Sequence, residues 1–134
     1  MTALGPQLIG TTEKSLNALL RHVLEVSELS EQEWVTLRLA AQNDAALPLA
    51  RFVRERTHFA DAGAIVTGLQ HRGLLDGDTL TADGQVLITQ LQGRIASLTA
   101  PVWADLDPVD VAAAERILTT VTARVGQVLE SLDG

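Results

Sequence analysis

The 134-residue chain contains no cysteine. That absence excludes disulfides, thiolate zinc sites and cysteine nucleophiles together, and it leaves no cysteine pairing from which to read a redox compartment. Tyrosine is absent too, and aromatics make up only 3% of the residues. A core must therefore be assembled from Leu, Val, Ile and Ala, which suits helices packed on helices. No apolar run approaches the ~18 residues that mark a membrane span. The first stretch, MTALGPQLIGTTEK, has neither a basic n-region nor a long apolar segment, so it does not read as a signal peptide. A soluble cytoplasmic protein with no membrane partner is the expectation. Positive charge is also scarce: 10 Lys and Arg stand against 17 Asp and Glu, a net charge of −7. Taken alone, that balance opposes a nucleic-acid partner, because neutralising phosphates requires basic side chains.

What is present is 46% hydrophobic residues, enough to build the core of one domain or of one subunit in an assembly. The charge is unevenly spread. Between Arg51 and Arg72 lie four arginines (Arg51, Arg54, Arg56, Arg72) and two acids (Glu55, Asp61), a local charge of +2, with His58 and His71 in the same stretch. The remainder carries −9. A solvated helix face is the plain reading of such an island. A small phosphate-facing patch is the sharper one.

Apolar spacing predicts helices along most of the chain. Leu16, Leu19, Leu20, Val23, Leu24 and Val26 recur at steps of three and four within an amphipathic helix over Leu8–Leu29. Ser30-Glu31-Gln32-Glu33 has the form of a capping box, so a second helix should begin at Glu31 and end near Asn43-Asp44. Pro48 suits the first turn of a short third helix, Leu47–Glu55. A fourth helix, Ala60–Arg72, places Ala62, Ile65, Val66 and Leu69 on one face and Ala60, Gly63, Ala64, Thr67 and His71 on the other, with Gln70 at the margin. Gly73 should stop it. Asp76-Gly77 between short apolar-ended runs predicts a tight hairpin with strands of two or three residues. Thr81 suits the cap of a helix over Ala82–Thr99 that Pro101 bends or ends, and Asp107-Pro108 opens a last helix over Pro108–Leu132. The long apolar stripe of that last helix, from Val111 to Leu132, exceeds what a small globule needs, and dimerisation through the terminal helices accounts for it economically.

At Gly73-Leu74-Leu75 and Leu80-Thr81-Ala82-Asp83-Gly84 the chain resembles the MarR family of winged helix-turn-helix regulators, and Leu29–Leu37 is similar to that family's helix preceding the DNA-binding helices. The likeness in element order covers nearly the whole chain. It implies a mainly α fold: a winged helix-turn-helix part over 28–82 with a very short hairpin wing, and dimerisation helices over 1–27 and 83–134. It further implies a homodimer, double-stranded DNA as partner, and a small-molecule effector pocket such as the family often carries. On this resemblance the candidate DNA-binding residues are Arg51, Arg54, Arg56, His58, Thr67, Gln70, His71 and Arg72, and the candidate pocket residues are His22 and Trp34. The stretch between the third and fourth helices is about two residues longer than the family's usual tight turn, and the larger departure is the wing. Its usual long, Arg-tipped hairpin is reduced to Leu75–Leu80, with two acids and no base.

No enzyme is expected. Serine-nucleophile motifs, phosphate loops and catalytic carboxylate pairs are missing, and His22, His58 and His71 share no metal-ligand spacing, so neither a metal nor a cofactor is expected. Two readings compete. One is a dimeric DNA-binding regulator with arginine contacts to phosphate and little contribution from the wing. The other is a winged-helix dimer that has lost operator binding and acts through protein or ligand contacts.

Overall fold

A computed structural model of the chain describes residues 3–43 and 47–134. Its elements are α1 (Pro6–Leu24), a 3-10 turn (Glu25–Ser27), α2 (Glu31–Gln42), α3 (Leu49–Thr57), α4 (Ala62–His71), β1 (Leu75–Asp76), β2 (Thr79–Leu80), α5 (Ala82–Trp103) and α6 (Pro108–Asp133). Mainly α, with a helix-turn-helix followed by a minimal hairpin, is the architecture the sequence leads one to expect. Residues 1–98 form one unit and residues 99–134 a second.

α1 ends before its apolar repeat does. The expected helix to Leu29 stops at Leu24 and passes through the 3-10 turn to Glu28, which is left-handed at φ 58°. Ser27 Oγ donates to the Leu24 carbonyl at 2.8 Å, drawing off one of the last acceptors of the helix. Ser30 then starts α2. Its Oγ accepts the Glu33 amide at 3.1 Å while Glu33 Oε1 accepts the Ser30 amide at 2.9 Å, the reciprocal capping box. α2 turns Trp34, Thr36, Leu37, Leu39 and Ala40 inward. The buried Thr36 hydroxyl is satisfied by the Gln32 carbonyl at 2.8 Å. Asn43 is the C-cap, and its side-chain Nδ2 donates to the Leu47 carbonyl at 3.0 Å. Asp44, expected to share this ending, lies outside the described residues.

α3 and α4 both start two residues later than their apolar spacing suggests. Leu47 precedes a proline, whose ring disfavours helical geometry there, so Pro48 becomes the N-cap and the helix runs Leu49–Thr57. Thr57 closes it: its hydroxyl donates to the Val53 carbonyl at 2.7 Å and accepts the Phe59 amide at 3.1 Å. His58 follows in the left-handed region at φ 63°. Ala60 and Asp61 belong to the turn, and α4 runs Ala62–His71 with Ala62, Val66 and Leu69 buried. Gly73, at φ 75°, ends α4 in a Schellman motif. Its amide donates to the Gln70 carbonyl at 3.0 Å and the Leu74 amide to the Leu69 carbonyl at 3.1 Å, with both leucines buried.

The hairpin pairs Leu75 with Leu80 and Asp76 with Thr79. Its central residues are Gly77 and Asp78, one position later than the Asp76-Gly77 pair expected. Only Gly77 has positive φ, at 59°, the pattern of a turn that needs glycine first. Leading out of it, Thr81 Oγ1 donates to the Gly73 carbonyl at 2.7 Å and accepts the Gly84 amide at 3.0 Å. One hydroxyl thus ties the base of the hairpin to the N-cap of α5. α5 does not end at Thr99: it continues through Pro101 to Trp103. A proline this close to a helix end forfeits a single main-chain bond and leaves the last turn intact.

Leu24, Leu37, Leu49, Val53, Leu69 and Ile88, contributed by α1 to α5, are fully buried in one apolar cluster. In the second unit Asp107 caps α6 by accepting the Val109 amide at 2.8 Å. α6 buries none of its residues, and Ile117, Leu118, Val121, Val125, Val128, Leu129 and Leu132 are all exposed along it.

Candidate nucleic-acid interface

α3 presents its arginines because its apolar residues are spoken for. Leu49 and Val53 are fully buried, and at 100° per residue Arg51 and Arg54 fall on the opposite side. Arg51 Nε lies 3.1 Å from Glu55 Oε1, an exposed pair one helical turn apart. Such a pair contributes little, so Arg51 can exchange its partner for a phosphate. Arg54 is exposed. The Arg56 guanidinium sits 4.8 Å from the centroid of the Phe52 ring, a cation–π contact that leaves the side chain exposed. His58 is exposed at the left-handed corner between α3 and α4.

α4 turns a face of small residues outward. Ala64, Thr67 and His71 share one exposed stripe, with Gly68 beside it. Thr67 Oγ1 donates back to the Gly63 carbonyl at 3.0 Å, and its lone pairs remain available. A Cβ at Gly63 or Gly68 would meet nothing within 4 Å, so packing inside this chain does not call for either glycine.

The other two candidates on this segment are held within the chain. Gln70 Nε2 donates to the Gly77 carbonyl at 2.8 Å, so its amide is engaged by the hairpin turn. Arg72 Nη1 lies 3.3 Å from both the Glu28 carbonyl and Glu33 Oε2, and Nη2 lies 3.3 Å from the Ser27 carbonyl. The basic island therefore divides. The side chains of Arg51, Arg54, Arg56, His58, Thr67 and His71 are exposed and, among the described residues, hydrogen-bond to no other element, whereas Gln70 donates to main chain and Arg72, itself exposed, donates to main chain and a carboxylate. Proximity in sequence could not separate them, because the partners of Arg72 lie 39 to 45 residues upstream. Arg38 is exposed on α2.

The two candidate pocket residues occupy different environments. Trp34 is 4% exposed and belongs to the core cluster, while His22 on α1 is exposed. Among the described residues no group of three His, Asp or Glu is placed to hold a metal ion, and no helix is long and apolar enough to cross a membrane.

The architecture has close counterparts. The fold matches the crystal structure of transcriptional regulator PA3341 with a TM-score of 0.76 and 22% identity, over 90% of this chain and 97% of that one. It also matches BpsR of Bordetella bronchiseptica, whose DNA binding is regulated by 6-hydroxynicotinic acid, with a TM-score of 0.70 and 19% identity, over 89% and 93% of the two chains. No protein-family model and no curated protein sequence matches the chain. At these identities the likeness establishes a shared fold, a winged helix, and nothing beyond it.

Proposed function

We propose that the protein is a MarR-type transcriptional regulator, not an enzyme, which acts in the cytoplasm and binds double-stranded DNA as a homodimer. The observation that carries this reading is the presence of exposed arginines on α3 and an exposed small-residue face on α4, in a fold shared with transcriptional regulators. In this reading α4 enters the major groove. Arg51, Arg54 and Arg56 neutralise phosphates, which positions the protein without specifying sequence. His58 contacts the backbone at the corner, and Thr67 and His71 approach base edges. Ala64, Gly63 and Gly68 let the helix backbone come close. Gln70 and Arg72 are omitted from the contact set, because both are hydrogen-bonded within the chain.

The exposed apolar stripe of α6 supports dimerisation through the terminal helices, with 28–82 as the DNA-binding part. A small-molecule effector is the counterpart of what 6-hydroxynicotinic acid does for BpsR.

A second reading has its own support. The hairpin tip carries Asp76 and Asp78, the chain has a net charge of −7, and two of the expected polar contacts are engaged internally. These favour a winged-helix dimer without operator binding, working through protein or ligand contacts.

Mobility shift with DNA from upstream of its own gene, at low and moderate salt, separates the two. Binding at low salt that weakens steeply as salt rises is expected. No binding even at low salt overturns the regulator reading. Sedimentation should show a dimer at micromolar concentration, and a monomer there would exclude the homodimer.

A further inference from the structure

Arg72 is the C-cap of α4. Its guanidinium meets three acceptors that belong to other parts of the fold. Two are the carbonyls of Ser27 and Glu28, at the end of the 3-10 turn that follows α1. Carbonyls at a helix end have no continuing turn to accept from, so they take donors from side chains or water. The third is Glu33 Oε2. The other oxygen of Glu33 already holds the Ser30 amide at 2.9 Å, as part of the cap of α2. One guanidinium therefore joins the end of α1, the start of α2 and the end of α4. Only arginine presents planar, divergent donors suited to such a junction; lysine offers a compact point charge. The pair with Glu33 is partly solvated, with side-chain exposures of 37% and 24%, so its Coulomb attraction is weak. What the contact supplies is geometry.

We propose that Arg72 is a positioning residue for α4: through Ser27, Glu28 and Glu33 it sets the angle at which the candidate recognition helix meets α1 and α2, and it does not touch DNA. The inference rests on the DNA-binding reading above. It makes the α1–α2 junction the place where a change outside the helix-turn-helix reaches α4.

The test titrates wild type, Arg72→Lys, Arg72→Ala and Glu33→Gln with the duplex from upstream of its own gene across a salt series. Amide hydrogen exchange is followed on the same proteins without DNA. Glu33→Gln is the informative partner, since its amide oxygen can still accept from the Ser30 amide while the charged acceptor of Arg72 is gone. Affinity should fall about tenfold in Arg72→Lys and Arg72→Ala, and by a smaller factor in Glu33→Gln, which keeps the two carbonyl contacts of Arg72. The slope of log K against log salt should stay at the wild-type value, because no phosphate contact is lost. In Arg72→Lys and Arg72→Ala exchange should quicken together at Ser30 and Glu33 and at Gly73 and Leu74. A slope shallower by about 0.9 in Arg72→Ala, with Glu33→Gln binding normally, would make Arg72 a phosphate contact and overturn the proposal. Unchanged affinity in all three would overturn it as well. If wild type binds no duplex at any salt, the operator reading fails and exchange alone decides. Quickening at both ends then supports the junction, and quickening confined to Gly73 and Leu74 overturns it.

Discussion

Gly84 in the first turn of α5 lies so close to the carbonyl oxygen of Leu74 that no Cβ fits between them. An added methyl would also press on the Leu74 carbonyl carbon at 3.2 Å and on Leu80 Cδ2 at 3.3 Å. Backbone cannot yield as a flexible side chain can. Gly84→Ala should therefore destabilise the protein by about 2 kcal/mol or more, despite the better helix propensity of alanine. Chemical denaturation checks this, and a variant as stable as wild type would mean that α5 shifts away freely.

The two glycines of α4 should behave in the opposite way. Gly63→Ala and Gly68→Ala place a methyl in open space on a helix, so each should stabilise by up to about 1 kcal/mol. If α4 approaches DNA closely, the same methyls should weaken binding even as the melting temperature rises. A rise in stability with no loss of affinity would remove close backbone approach from the recognition model.

Thr81 offers a cleaner dissection. Its hydroxyl both caps α5 and holds the Gly73 carbonyl. Thr81→Ala should cost about 1–2 kcal/mol, while Thr81→Ser keeps the oxygen and should recover most of the loss. Equal melting temperatures for the alanine and serine variants would show that the hydroxyl does not matter.

The charge of the hairpin tip can be inverted without touching Gly77. In the double variant Asp76→Lys/Asp78→Lys, low-salt affinity for DNA should rise about tenfold or more, and the salt slope should steepen by up to about 1.8 if both lysines reach phosphates. Unaltered affinity and slope in that variant would place the tip away from the duplex.

Local chemistry made much of this fold legible from sequence. The Ser30–Glu33 box, the Gly73 stop, the Thr81 cap and the Asp107-Pro108 start each form within a few residues, so the sequence holds both partners side by side. Boundaries slipped where an apolar repeat competed with a local restriction. Leu47 has helical spacing but precedes Pro48, and Ala60 has it but falls in the turn after His58. The candidate site was legible as a cluster of residue types and illegible as a set of free groups. Arg51 and Arg72 look alike in sequence. One makes an exposed pair with Glu55 on its own helix, and the other is drawn 39 residues back to Glu33. Trp34 likewise fits either core or pocket by spacing, and only burial assigns it to the core.

The bare flank of α6 bears on how this protein must be handled at the bench. α6 is a helix of 26 residues with none of them buried, and most helical stability in water comes from tertiary packing. If a second copy covers that flank, folding and association are one equilibrium. Helicity and melting temperature then belong to a concentration, not to a sequence, and both should decline on dilution.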